Sequence, residues 1–145
     1  MKEALNRLNH FIQIIPEKLN QIDLESFNYK PEENKWSIKE ILGHLIDSAS
    51  NNHHRLVRAQ FEDNPIILYN QDEWCKYNYY QFIEKDQIIN LWIIYNKQLV
   101  QLIDHIPTHH LIRFVNNVTL EFIIKDYVKH LEHHLNQIIS MKLRN

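Results

Sequence analysis

The chain has 145 residues, 44% hydrophobic and 23% charged, which suits one globular domain, 1–145, with its own core. A formal charge of −2 and a pI near 6.5, with no run of Lys and Arg, exclude the electrostatic footprint of a nucleic-acid or anionic-membrane binder. One glycine and four prolines leave hairpins and barrel corners almost without their usual residues, so the expectation is all-α.

Residues 2–22 form the first amphipathic series, with Leu5, Leu8, Ile12, Ile15, Leu19 and Ile22 recurring by three and four. Pro16 lies inside it and predicts a kink or break near Ile15. Residues 23–35 are polar and read as a connection. Ser37-Ile38-Lys39-Glu40 then has the order of a capping box, in which serine and glutamate reciprocally satisfy free amides at a helix start. The second helix runs to about Phe61 on the seam Ile38, Leu42, Leu45, Ala49, Asn52, Leu56 and Ala59. Beside that seam lies the row Ile41, His44, Ser48 and Asn51. Gly43, costly in mid-helix, implies that a neighbouring backbone or a ligand comes close.

Residues 62–85 are a long connection, and a short helix is expected near 71–76. The third helix, 86–106, carries Ile88, Trp92, Tyr95, Leu99, Leu102 and Ile106 and is stopped by Pro107. A polar link through His109, His110 and Asn116-Asn117 leads to the fourth helix, 119–142, capped by Thr119. Its seam is Leu120, Ile124, Tyr127, Leu131, Ile138 and Met141, with His134 in the same series and His130 one turn earlier. Four such helices predict a four-helix bundle. The long connection between helices two and three argues against simple up-down-up-down order and permits a parallel pair.

No apolar stretch is long enough to span a bilayer, and the start MKEALNRLNH is unlike a signal sequence. Cys75 is the only cysteine, so the expectation is a cytoplasmic protein without a disulfide framework. Packing, not nucleophilic attack, is the role expected of Cys75.

His10, His53, His54 and His133 fall on polar faces and His105 in a last helical turn, where solvation or the helix dipole explains them. His109 and His110 are reserve ligands in a loop. His44, His130 and His134 are predicted to look inward near the middle of their helices. Histidines at i and i+4 can share one metal if a third ligand arrives from another helix. On spacing alone, hydrogen bonds to Tyr127 or Asp126 explain the pair equally well. The string His130-Leu131-Glu132-His133-His134 is no zincin, because Glu132 points to nearly the opposite side of the helix.

The segment from Lys35-Trp36-Ser37 through Gly43-His44 to Ser48, followed by Asp126-Tyr127 through His130 and His134 to Ile138, resembles the DinB-like superfamily of small four-helix metalloenzymes. The resemblance implies an up-down-down-up bundle and one divalent metal on His44, His130 and His134. It also implies a homodimer, for which Ile93, Ile94 and Ile123 lie outside the seams. Related families include transferases that use bacillithiol or mycothiol.

Three neutral imidazoles leave the ion's charge uncompensated and a position open, the pattern of a catalytic site. Zinc is the first candidate and nickel the second. The expected activity is a metal-dependent thiol S-transferase or hydrolase acting on a small molecule, with a low-molecular-weight thiol as one partner. The alternative is a non-catalytic metal- or ligand-binding bundle. Asp47, Ser48, Asn51 and Tyr127 are candidates to orient ligands or substrate. Arg55 lies about 16 Å along the helix from His44, and a surface ion pair is expected for it. Tyr69, Trp74, Tyr79 and Tyr80 are expected either to line a substrate mouth or to fill gaps over the bundle end.

Overall fold

A computed structural model describes residues 1–144. In chain order the helices are α1 (Lys2–Asn20), α2 (Leu24–Asn28), α3 (Ile38–Arg58), α4 (Gln71–Tyr77), α5 (Lys85–His105) and α6 (Leu120–Arg144). A two-residue strand pair, β1 (Phe114–Val115) and β2 (Val118–Thr119), precedes α6. Helices α5 and α6 each pack on both α1 and α3, so α1 lies across the core from α3 and α5 across from α6. The four-helix bundle expected from the sequence is therefore present. None of its described helices is long and apolar enough to cross a membrane.

Pro16 does not break α1, which runs unbroken to Asn20. An interior proline costs roughly 3 kcal/mol. Buried Ile12, Ile15 and Leu19 flank it, and each fully buried aliphatic side chain contributes about 1.5–3 kcal/mol. Tertiary burial thus outweighs the local penalty. The polar stretch after α1 is not merely a connection, because Asp23 accepts the Ser26 amide at 2.8 Å and caps the short α2, which buries Phe27.

The capping box at α3 is complete. The Glu40 amide donates to Ser37 Oγ and the Ser37 amide to Glu40 Oε1, both at 3.1 Å. The helix stops at Arg58, short of Phe61. Most of its first three turns are buried, because α6 covers one side and the long connection another. That connection holds the expected short helix as α4 and a further 3-10 turn at Tyr80–Phe82.

The polar link before α6 was expected to lack a hairpin, yet it contains one. Asn116 and Asn117 have φ of 52° and 65°, the positive values that a two-residue hairpin turn of this type requires and that asparagine tolerates better than other non-glycine residues. The turn is tied to the start of the long connection: Asn116 Oδ1 accepts the Ile67 amide at 2.7 Å, and its Nδ2 donates to the Ile67 carbonyl at 3.0 Å.

Two seam assignments change. On α5, Tyr95 and Leu102 are half-buried, while Asn96 and Ile103 are buried. Asn96 is accommodated by donating to the Trp92 carbonyl at 2.9 Å and accepting the Tyr127 hydroxyl at 2.5 Å. On α6 the seam continues through Leu135, not His134. Of the three isoleucines read as dimer contacts, Ile123 is buried and Ile93 half-buried, and only Ile94 is exposed.

Gly43 has a definite reason. A β-carbon there would lie 2.2 Å from Tyr80 Cδ2, so the Tyr80 ring rests directly on the α3 backbone. Glycine to alanine in mid-helix ordinarily stabilises by up to about 1 kcal/mol. Gly43→Ala is expected instead to destabilise by about 1–3 kcal/mol in urea melts, the cost of overpacking. In a Tyr80→Ala background the same change should become neutral or stabilising, a coupling that a double-mutant cycle reads out.

Candidate metal centre

His44 projects from the second turn of α3, and His130 and His134 project from successive turns of α6. One ligand atom from each lies within 4.8 Å of the others, and His44 Nε2 is 3.2 Å from His130 Nε2. Two nitrogens on a tetrahedral zinc, each at about 2.0 Å, would be about 3.3 Å apart. One pair already has that spacing, so the donor set fits a single small divalent ion. His44 is buried, whereas His130 and His134 are half-buried and border the seam rather than occupy it.

Electrostatics keep all three imidazoles neutral. Burial, then the neighbouring His130 and His134, push His44 down to about 3. Burial, then His134, push His130 down to about 4. Burial also lowers His134, against the opposing hydrogen bond from Gln137. Neutral imidazole is the form that ligates metal. His134 Nδ1 is 2.8 Å from Gln137 Oε1, which fixes its other nitrogen as the ligand atom. His44 Nδ1 is buried without a partner among the described residues, and the Trp36 ring lies 4.8 Å from the His44 ring, tilted by 32°.

The long connection is strapped to α3 beside this cluster. Asp47, buried one turn beyond His44, accepts the Tyr80 hydroxyl at 2.5 Å and Asn78 Nδ2 at 2.9 Å, both on Oδ1. Its Oδ2 is buried and has no partner among the described residues. Burial pushes Asp47 up to about 6, against the pull of those two donors. Ser37 donates to Gln81 Oε1 at 2.6 Å, and Lys39 reaches the Gln81 carbonyl. The capping serine thus also anchors the connection.

Of the other residues named from the sequence, Ser48 and Asn51 are buried on α3 next to Asp47. They make contacts within the helix: Asn51 Nδ2 donates to the Asp47 carbonyl, and Ser48 Oγ accepts from Asn52. Tyr127 gives its hydroxyl to Asn96 on α5, not to a histidine. Arg55 makes no surface ion pair; it is half-buried, donates to the Ile67 carbonyl at 3.0 Å and lies over the Tyr69 ring. His53, expected on the surface, is half-buried and hydrogen-bonded to Tyr95 at 3.0 Å. Glu132 pairs with Arg7 of α1, which accords with its exclusion as a general base. Cys75 is buried, and burial pushes its thiol up to about 12, which accords with a packing role. Sequence reasoning missed Asn78 and Gln81, whose polar side chains in a loop carry no periodic signal.

The family model for the DinB superfamily matches residues 7–138. A protein of Halalkalibacterium halodurans named "Putative metal-dependent hydrolase" is 38% identical over 45 residues, 30% of this chain and only 26% of that protein. One with the same description from Oceanobacillus iheyensis is 23% identical over 146 aligned positions, 97% of this chain and 85% of its own length. The solved structure of YfiT from Bacillus subtilis, described as "a probable metal-dependent hydrolase with an unusual four-helix bundle topology", superposes with a TM-score of 0.82 at 20% identity. It covers 99% of this chain and 89% of YfiT, which shows the shared fold.

Elemental analysis of protein purified from zinc- or nickel-supplemented medium is expected to find one divalent ion per chain, and none in His44→Ala, His130→Ala or His134→Ala. Asp47 gives a separate prediction. Its folded value is raised above the ordinary 3.8, so the unfolded chain ionises first and this carboxyl lowers stability progressively as pH rises from about 4 to about 6. Asp47→Asn should gain on the wild type across that window and hold a constant advantage above it, as urea melts at stepped pH would measure.

Proposed function

The chain belongs to the DinB superfamily, and on that premise we propose that it is a metal-dependent hydrolase with His44, His130 and His134 as ligands. The observation that carries this reading is the convergence of three imidazoles from two helices, with ligand atoms within 4.8 Å of one another. The names of the two curated relatives and the description of YfiT support it. When bound, a divalent ion supplies Lewis acidity and makes water or a thiol nucleophilic near neutral pH.

The remaining work falls to this chain's own groups. Three histidines without a carboxylate leave the ion's charge undiminished, which favours polarising a carbonyl or phosphoryl oxygen. Gln137 fixes the His134 ring, and Trp36 covers one face of His44. Asp47 is a positioning residue: one oxygen is held by Tyr80 and Asn78, which fixes the connection on α3 one turn beyond His44.

The expected result is metal-dependent hydrolysis of a member of an ester, amide and phosphoester panel, abolished by chelation and restored by zinc or nickel. His44→Ala should cost at least about 100-fold in kcat/KM, the loss expected when a catalytic ion is removed. Turnover that requires added bacillithiol or mycothiol and yields a thioether would replace hydrolysis with S-transfer. Stoichiometric metal without turnover on either panel would point to a binding protein.

A further inference from the structure

A groove of about 820 Å³ runs between the segment before α3, α4 and the turn at residues 79–82. Two of its wall residues also touch the metal centre. Trp36 stacks on His44, and Gln137 bonds His134. The groove therefore adjoins the histidine cluster through Trp36 and Gln137, with none of the three histidines in its own lining.

Tyr79 stands at the rim in a left-handed conformation, φ 55° and ψ 40°. A bulky side chain takes that conformation only at an energetic cost, and such outliers cluster at ligand sites. Its neighbours on both sides, Asn78 and Tyr80, bond the same Asp47 oxygen and hold the turn in place. Burial of the ring does not offset the cost, because Tyr79 is 62% exposed. Phe82, in the same turn, is 85% exposed. Charge along the walls is balanced: Lys30 is paired with Glu40, and Lys35 and Lys76 are matched by Glu33 and Asp72.

We propose that this groove is the recognition subsite of the metal centre and takes an uncharged aromatic group, stacked on Tyr79 and joined to the bond that is cleaved at the histidines. Exposed rings present π faces to a planar partner, and balanced charge offers no advantage to an ion. The reacting bond rests on the hydrolase reading; the aromatic subsite rests on the groove and Tyr79 alone.

Acetohydroxamate and benzohydroxamate share one chelating group and differ as methyl and phenyl, so calorimetry on the zinc-loaded protein separates the two ideas. Benzohydroxamate is expected to bind about tenfold more tightly, the factor that one aromatic contact of about 1.4 kcal/mol gives. Tyr79→Phe should keep that preference, and Tyr79→Ala should lose it while leaving acetohydroxamate affinity unchanged. Tyr79→Gly should lose it with an equal or higher thermal midpoint, since glycine accepts the left-handed conformation. A phenyl preference that survives in Tyr79→Gly, or equal affinities in the wild type, overturns the subsite. Failure of both hydroxamates to bind defeats the metal reading instead. In that event benzamide, which does not chelate, is titrated into the protein as purified while NMR follows the indole N–H of Trp36. A saturable shift that Tyr79→Ala abolishes upholds the subsite, and no shift removes it.

Discussion

The turn that carries Tyr79 is held against α3 by the hydrogen bonds received by Asp47. A carboxyl group that α3 carries into the interior must be satisfied or remain protonated. Here Tyr80 and Asn78, from the long connection, converge on one oxygen. Both donors come from one short turn, so meeting the demand of a single side chain fixes the path of the backbone. The Tyr80 ring can reach Asp47 only because Gly43 lets it lie against α3. The same turn then presents Tyr79 in a groove that Trp36 also lines, and Trp36 packs on His44.

The three clustered histidines divide into a buried member and a half-buried pair. His44 is buried on a helix with a complete capping box, behind Trp36. His130 and His134 are half-buried on α6, whose start is set by Thr119 and the asparagine hairpin tied to the long connection. The pair keeps one face by helical period alone. Its distance from His44 depends on how α3 packs on α6. Burial sets the protonation state as well as the position, because low polarity favours the neutral ring that a metal requires.

The long helices and the capping box were legible in the sequence, because each has a short-range signature: a period of three to four, a serine–glutamate spacing. The i,i+4 histidine pair was visible in the same way, but only the family resemblance joined it to His44 on another helix. What was not legible came from contacts distant in sequence. Asn96 breaks the apolar series of α5, and only the Tyr127 hydroxyl from α6 explains its burial. Pro16 argued for a break that the burial of its neighbours overrides. The Asn116-Asn117 hairpin was missed because glycine was taken as its necessary signal, whereas asparagine also tolerates positive φ. His134 was placed in the seam because its spacing from Leu131 fits a seam as well as that of Leu135 does, and it is Leu135 that the packed bundle buries.

The interior is therefore not uniform around the bundle axis. The buried positions of α1 are all apolar, Ala4, Leu8, Ile12, Ile15 and Leu19. On α3 one face carries His44, Asp47, Ser48, Asn51 and Asn52, buried and polar in steps of three and four. Each of those residues costs more to bury than an aliphatic side chain would, and their hydrogen bonds within the helix recover only part of that cost. The apolar half of the bundle supplies the stability that lets the polar face persist. Filling that face with aliphatic residues would favour the folded state and remove the site, the usual opposition between stability and function. The bundle tolerates the polar face because a connection of more than twenty residues folds back over it, which keeps the face out of bulk water and leaves open the groove beside the histidines.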